Sequence, residues 1–161
     1  MATKDPANNS ETNSLEGKYL TFVLNNEEYG LEILKVREII GVMDITPVPQ
    51  TPPFVTGIIN LRGKVIPVVD LRLKFVMPKL EYTKETCIIV VDICNRLMGI
   101  IVDTVSEVLD IAGKDIEPTP SLGSGIKTDF ILGMGKIKGK VKILLDIDRV
   151  LTLDELALPA S

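Results

Sequence analysis

Two stretches of this chain are written to one plan, and that repetition limits the possible folds more than any other feature. Residues 57–71 read Gly-Ile-Ile-Asn-Leu-Arg-Gly-Lys-Val-Ile-Pro-Val-Val-Asp-Leu, and residues 133–147 read Gly-Met-Gly-Lys-Ile-Lys-Gly-Lys-Val-Lys-Ile-Leu-Leu-Asp-Ile. Each consists of two aliphatic, β-branched runs joined by a short polar turn, the pattern of a β-hairpin. Gly63 and Gly139 stand in the turns, where glycine supplies the positive φ that a tight connection needs. Arg62 is thereby placed at a hairpin tip.

Gly57, Gly63, Lys64, Val65 and Asp70 meet identical residues in the second copy, where residue 57 aligns with residue 133, an offset of 76. A further match aligns residues 30–40 with 99–109 at an offset of 69, with Gly, Val and Glu identical at 30/99, 36/105 and 38/107. Two matches in the same chain order predict an all-β fold of two similar units of about five strands each. The unequal offsets place an insertion in the Pro/Gly-rich stretch 118–129, where added length is tolerated. Units this small bury too little surface to stand alone, so they are expected to share a core, with a groove between them.

Residues 1–16 are polar and charged and are expected to form a mobile tail. An opening hairpin is predicted over 19–24 and 29–31, and Ile33 to Ile40 fit a helical turn feeding a strand. Four prolines make 45–53 an extended loop, and Pro67 inside a strand suggests an edge or a bulge. A short helix over 71–75, a connector over 76–84, and strands over 86–93, 97–102 and 105–111 follow. The second copy of the hairpin supplies strands over 130–137 and 141–147, and 153–158 is read as a short apolar helix. The domain division is a tail at 1–16 and one domain at 17–161, with halves of about 17–84 and 85–161 that leave room for exchanged terminal elements.

Catalytic equipment is sparse. The chain has no histidine, which removes the usual general base and zinc ligand. Asp70 and Asp146, one per repeat, invite comparison with an aspartic-protease dyad, but neither is followed by the small hydroxyl residue and glycine such a site needs. Gly133-Met134-Gly135 lacks the rest of a phosphate-binding pattern. Cys87 and Cys94 lie at opposite ends of one predicted strand, about 23 Å apart at ~3.3 Å per residue, too far for a disulfide. No metal site and no cofactor is expected. A net charge of −4, 4% aromatic residues and no tryptophan argue against nucleic-acid binding, and against the alternative of an oligonucleotide- or oligosaccharide-binding barrel. No run approaches a membrane span or a signal peptide, so a cytoplasmic protein without direct membrane insertion is expected. What remains is a protein that works by contact.

Residues 28–39, Glu-Tyr-Gly-Leu-Glu-Ile-Leu-Lys-Val-Arg-Glu-Ile, and 57–63 followed by Pro67-Val68-Val69-Asp70-Leu71-Arg72 carry a resemblance to the CheW family of bacterial chemotaxis adaptors. The resemblance covers the chain from about Gly17 onward. It implies two intertwined five-stranded, SH3-like β-barrels with short helices, and a non-enzymatic scaffold coupling transmembrane chemoreceptors to the histidine kinase CheA. Recruitment to the inner face of the membrane would then run through the receptors. With no kinase, phosphotransfer or receiver segment, the chain resembles a stand-alone adaptor. The resemblance places receptor contact on Val36, Glu38, Gly57, Arg62 and Val105, with Leu20, Ile33 and Ile39 lining the apolar part. Val42, Ile45 and Phe54 around the proline loop become candidates for contact with the kinase regulatory domain. Each has a structural alternative: the aliphatic residues as core, Arg62 as a solvated turn residue, Gly57 as a place where a side chain would collide with a neighbouring strand.

Overall fold

The computed structural model describes residues 15–119 and 129–151. The strands are β1 (Gly17–Leu24), β2 (Glu27–Glu32), β3 (Val36–Gly41), β4 (Val55–Leu61), β5 (Lys64–Asp70), β6 (Cys87–Ile93), β7 (Arg96–Val102), β8 (Thr104–Ile111), β9 (Ile116–Glu117), β10 (Ile131–Ile137) and β11 (Lys140–Leu145). Two short helices, α1 (Leu71–Lys74) and α2 (Ile147–Val150), follow β5 and β11. One sheet has the order β8-β1-β2-β11-β10-β9 and the other β3-β6-β7-β5-β4.

Four two-residue turns fix the register. Asn25-Asn26, Arg62-Gly63, Cys94-Asn95 and Lys138-Gly139 all have positive φ at both central residues, between 51° and 88°. That is the type I′ geometry whose twist matches the flanking strands. The first pair and the third lie 69 residues apart, the second and the fourth 76, so the turns repeat at the offsets read from the sequence. Arg62 and Lys138 share the left-handed conformation with their glycines, which the sequence reading had assigned to glycine alone.

Each sheet takes strands from both repeats. The β1–β2 hairpin sits in the sheet built by β8 to β11, and the β6–β7 hairpin sits with β3, β4 and β5. The seams are parallel and equivalent: Leu144 lies opposite Gly30 where β11 meets β2, and Val68 lies opposite Gly99 where β5 meets β7. The exchanged hairpins are covered on both faces, which explains why β6 reads as an unbroken apolar run rather than an alternation. Ile88 and Val90 point into the interior of their own sheet with Ile59, Ile66 and Val68. Ile89, Val91 and Ile93 point the other way, into a core shared with Leu20, Phe22, Leu24 and Leu31 of the opposite sheet. Phe22, Tyr29, Phe75 and Phe130 stack in series along that core, with centroids 5.1–6.2 Å apart.

In each sheet, the chain leaving one edge strand returns to the other edge. Beyond β3, Thr46 bridges to Ile58 of β4; beyond β8, β9 pairs with β10. This return gives each five-strand set the curled, barrel-like form expected, and β9 adds a sixth short strand to one of them.

Several local expectations are corrected. Pro67 lies in an inner strand rather than at an edge, and of the two expectations it is the bulge that is present, in the β4–β5 ladder beside it between Val55 and Gly57. Both backbone groups of Ile58 bond to Thr46, so the opposed Ile58 and Pro67 exchange no hydrogen bonds and β4 loses no donor. β11 ends at Leu145, and residues 147–150 form α2, the counterpart of α1. Leu15 and Glu16, read as tail, are tied down: the Tyr19 hydroxyl donates to the Leu15 carbonyl at 2.6 Å, and Gly113 N–H donates to Glu16 Oε1 at 2.9 Å. The rest of the tail, most of the 118–129 loop and the 153–158 helix lie outside the described residues.

Candidate functional site

The return of the chain from β3 to β4 sets the centre of the site. β3 and β4 are opposite edges of one sheet, and the Thr46–Ile58 bridge, at 2.8 and 2.9 Å, draws them together. Glu38 on β3 and Arg62 at the β4–β5 turn then form an ion pair, Arg62 Nη2 to Glu38 Oε1. Asn60 braces the turn by accepting from Gly63 N–H at 2.9 Å. The Arg62 side chain is 69% exposed, so the pair presents a guanidinium to solvent rather than burying it. Gly57 permits the closure. Its φ is +152°, and a Cβ there would lie 2.2 Å from the Thr46 carbonyl oxygen.

The remaining residues predicted for receptor contact fall into separate groups. A bulge between Val36 and Glu38 changes which face each residue takes. Val36 lies opposite Val91 and Ile39 opposite Ile89, both on the shared-core side, whereas Glu38 lies opposite Val90, on the inner side. Ile39 is 43% exposed at the margin of that core. Ile33, in a 3-10 turn before β3, is half-buried against the same core. Val105 is half-buried on β8, opposite Phe22 and in the other sheet. Leu20 is corrected: at 2% exposure it is an interior residue and lines no open surface.

The proline-loop residues are half-buried rather than exposed. Ile45 packs into the interior of its sheet, and Phe54 packs against the shared core with Lys74 Nζ 4.3 Å from its ring centroid. The Phe54 carbonyl accepts from Asp70 N–H at 2.9 Å, as Phe130 does from Asp146 at 2.8 Å, so the repeat itself accounts for its position. Leu34, 88% exposed, and Val65, 64% exposed beside the Arg62 tip, are surface residues the sequence reading passed over. Val65 recurs as Val141, 52% exposed. An apolar residue kept on the outer side of both hairpins was the available signal.

Asp70 and Asp146 work in the fold. Asp70 accepts from the Arg72 N–H, capping α1, and from the Tyr82 hydroxyl, each at 3.0 Å. Burial first, and the Asp70 charge second, push the Tyr82 phenol up to about 12. Burial, with Glu32 adding, does the same to Tyr19, again to about 12. Both folded values lie above the ordinary 10.0, so this stability is fully present below pH 10 and is lost as pH rises toward 12. The urea midpoint should therefore fall between pH 10 and 12, and fall less in Tyr82→Phe; an unchanged midpoint would contradict the burial of these phenols.

Comparison with known proteins follows the same outline. The family model described as the CheW-like domain matches residues 18–155. The chemotaxis protein CheW of Klebsiella aerogenes is 40% identical over 141 residues, covering 88% of this chain and 85% of that protein. CheW of Rhizobium meliloti is 37% identical, covering 84% and 88%. The crystal structure of the scaffolding protein TtCheW from Thermoanaerobacter tengcongensis superposes with a TM-score of 0.80 at 38% identity, covering 89% of this chain and 97% of that one. A match that spans both repeats, their exchanged hairpins and the closure between them leaves one assignment: the chain belongs to the CheW-like family.

Proposed function

We propose that this protein is a non-enzymatic chemotaxis scaffold that couples the cytoplasmic tips of transmembrane chemoreceptors to the regulatory domain of the histidine kinase CheA, and so is held at the inner face of the membrane through the receptors. The observation that carries this reading is the family match over 18–155, which takes in both repeats. The geometry fits a contact protein. Glu38 of the Glu38–Arg62 pair lies on β3, the strand that also carries Val36 and the partly exposed Ile39, with Ile33 in the turn just before it. A receptor tip is an amphipathic helical surface, and a mixed patch of this kind suits it. Arg62 can exchange its bond to Glu38 for a receptor carboxylate through its two-pronged guanidinium, which lysine does not reproduce. Val105 would extend receptor contact to the second sheet, and Gly57 would act by holding Arg62 in place. Val42, Ile45 and Phe54 are the candidates for the kinase side, through their exposed parts.

Purified protein should co-sediment with receptor cytoplasmic fragments and with the CheA regulatory domain; binding to neither at low salt overturns the proposal. Arg62→His should weaken receptor binding by about tenfold or more, as loss of an arginine anchor does, with kinase-domain binding and melting temperature held. A large drop in melting temperature would make Arg62 a structural residue instead.

A further inference from the structure

Among the described residues, eight that are not glycine have positive φ, and six of them stand in the two-residue turns. Val76 is of another kind. It follows α1, its φ is +59°, and it is the one β-branched residue of the eight, so its side chain crowds a backbone conformation that glycine adopts freely. The end of the helix imposes that conformation. Met77 N–H donates to the Arg72 carbonyl at 2.7 Å and Val76 N–H to the Leu73 carbonyl at 3.1 Å, the paired closing bonds of a helix whose next residue turns left-handed. Glycine or asparagine is the residue such a place favours.

The fold gives the Val76 side chain no packing to offset this strain. Val76 is 91% exposed, more than any other large apolar residue described. Both neighbours are anchored: Phe75 stacks between Tyr29 and Phe130, and Met77 packs against the same shared core. Val76 is therefore held out between two packed residues, and covering it would cost little ordering entropy. A strained residue that supports nothing inside the molecule points to a role outside it.

Its surroundings indicate what would cover it. Lys74 and Lys79 flank Val76, the nearest carboxylate along the chain is Glu81, and Pro78, Lys79 and Leu80 continue the exposed edge. Lys74 Nζ also lies over the Phe54 ring, which joins this edge to the end of the proline loop. An apolar knob with a basic rim is complementary to an apolar pocket edged by carboxylates.

We propose that residues 76–80 form a second contact surface, with Val76 as its anchor, for an apolar pocket edged by carboxylates on the regulatory domain of the kinase. The choice of partner rests on the scaffold reading, in which two proteins are held at once, the Glu38–Arg62 patch on the receptor side and Phe54 on the kinase side.

Strain and contact together give Val76 variants an unusual signature, greater stability with weaker binding. In the full-length protein, Val76→Gly and Val76→Asn should each raise the melting temperature by roughly 2–4 °C. Both should weaken binding to the CheA regulatory domain by about tenfold, the scale of one buried valine side chain, and leave binding to a receptor cytoplasmic fragment unchanged. Val76→Thr, equal in shape and equally strained, should hold the wild-type melting temperature and still weaken kinase-domain binding. Lys79→Glu should weaken it by about fivefold through the rim. Kinase-domain binding unchanged in the glycine and threonine variants or in Lys79→Glu, a loss confined to the receptor fragment, or a melting temperature that does not rise in the glycine and asparagine variants overturns the proposal. A wild-type protein that does not bind the kinase domain overturns the scaffold reading, and the proposal with it.

Discussion

Gly57→Val should cost about 4 kcal/mol of stability, from backbone strain and a forced shift of packed chain together, and lower the melting temperature by roughly 10 °C in a domain of this size. Two effects act at one atom. The residue's φ of +152° is one that side chains rarely adopt, and its Cβ would stand 2.2 Å from the Thr46 carbonyl oxygen and 2.9 Å from Ile45 Cγ2. The first obstacle is backbone, which cannot rotate aside as a side-chain end can. Relief requires the Thr46–Ile58 bridge to open, and that bridge holds β3 beside β4. Glu38 and Arg62 would then part, so receptor binding should fall along with stability. Gly41, on β3 with open space where a Cβ would go, is the control: Gly41→Ala should change stability by no more than about 0.5 kcal/mol. Thermal unfolding of the two variants checks both statements, and a Gly57→Val protein that melts like wild type but fails to bind receptor would make Gly57 a contact residue.

Arg72→Ala is expected to be nearly as costly, about 3–5 kcal/mol, the scale of a buried ion pair broken from one side. Its guanidinium joins four parts of the chain. Nε donates to the Pro78 carbonyl at 2.9 Å, Nη1 to Asp103 at 2.5 Å and Nη2 to Asn25 Oδ1 at 3.5 Å, while the residue itself belongs to α1. The connector after α1, the β7–β8 corner and the β1–β2 turn are thus held at one point. Truncation leaves the Asp103 carboxylate mostly buried, with the backbone N–H of Asn25, at 2.9 Å, still donating to it. A double-mutant cycle with Asp103→Ala should show the double variant losing less than the sum of the singles. Additive losses, or a loss under about 1 kcal/mol for Arg72→Ala, would mean that water already serves these groups.

Both variants mark the boundary between what was legible in the residues and what was not. The hairpin over 57–71, its turn and its copy were readable because they depend on neighbours: alternation of period two, and turn residues that tolerate positive φ. The structural role of Gly57 was readable only as an alternative, because the obstructing atom belongs to Thr46, 11 residues earlier. Leu20 is a contact candidate only through the family resemblance, and an aliphatic residue in a strand says nothing by itself of what covers it. The 147–150 helix goes unread, its first residue falling in the strand read over 141–147, since it is a single turn, too short for its period to show, though its counterpart at 71–74 is legible.

The sequence by itself determined the repeat, the four turns and the absence of histidine, since all of these rest on local chemistry and spacing. Only the tertiary structure decided which sheet each hairpin enters, that Leu20 is interior and that Glu38 meets Arg62. The physical reason is common to all three. Each depends on contacts between residues far apart in the chain, where no local period records it.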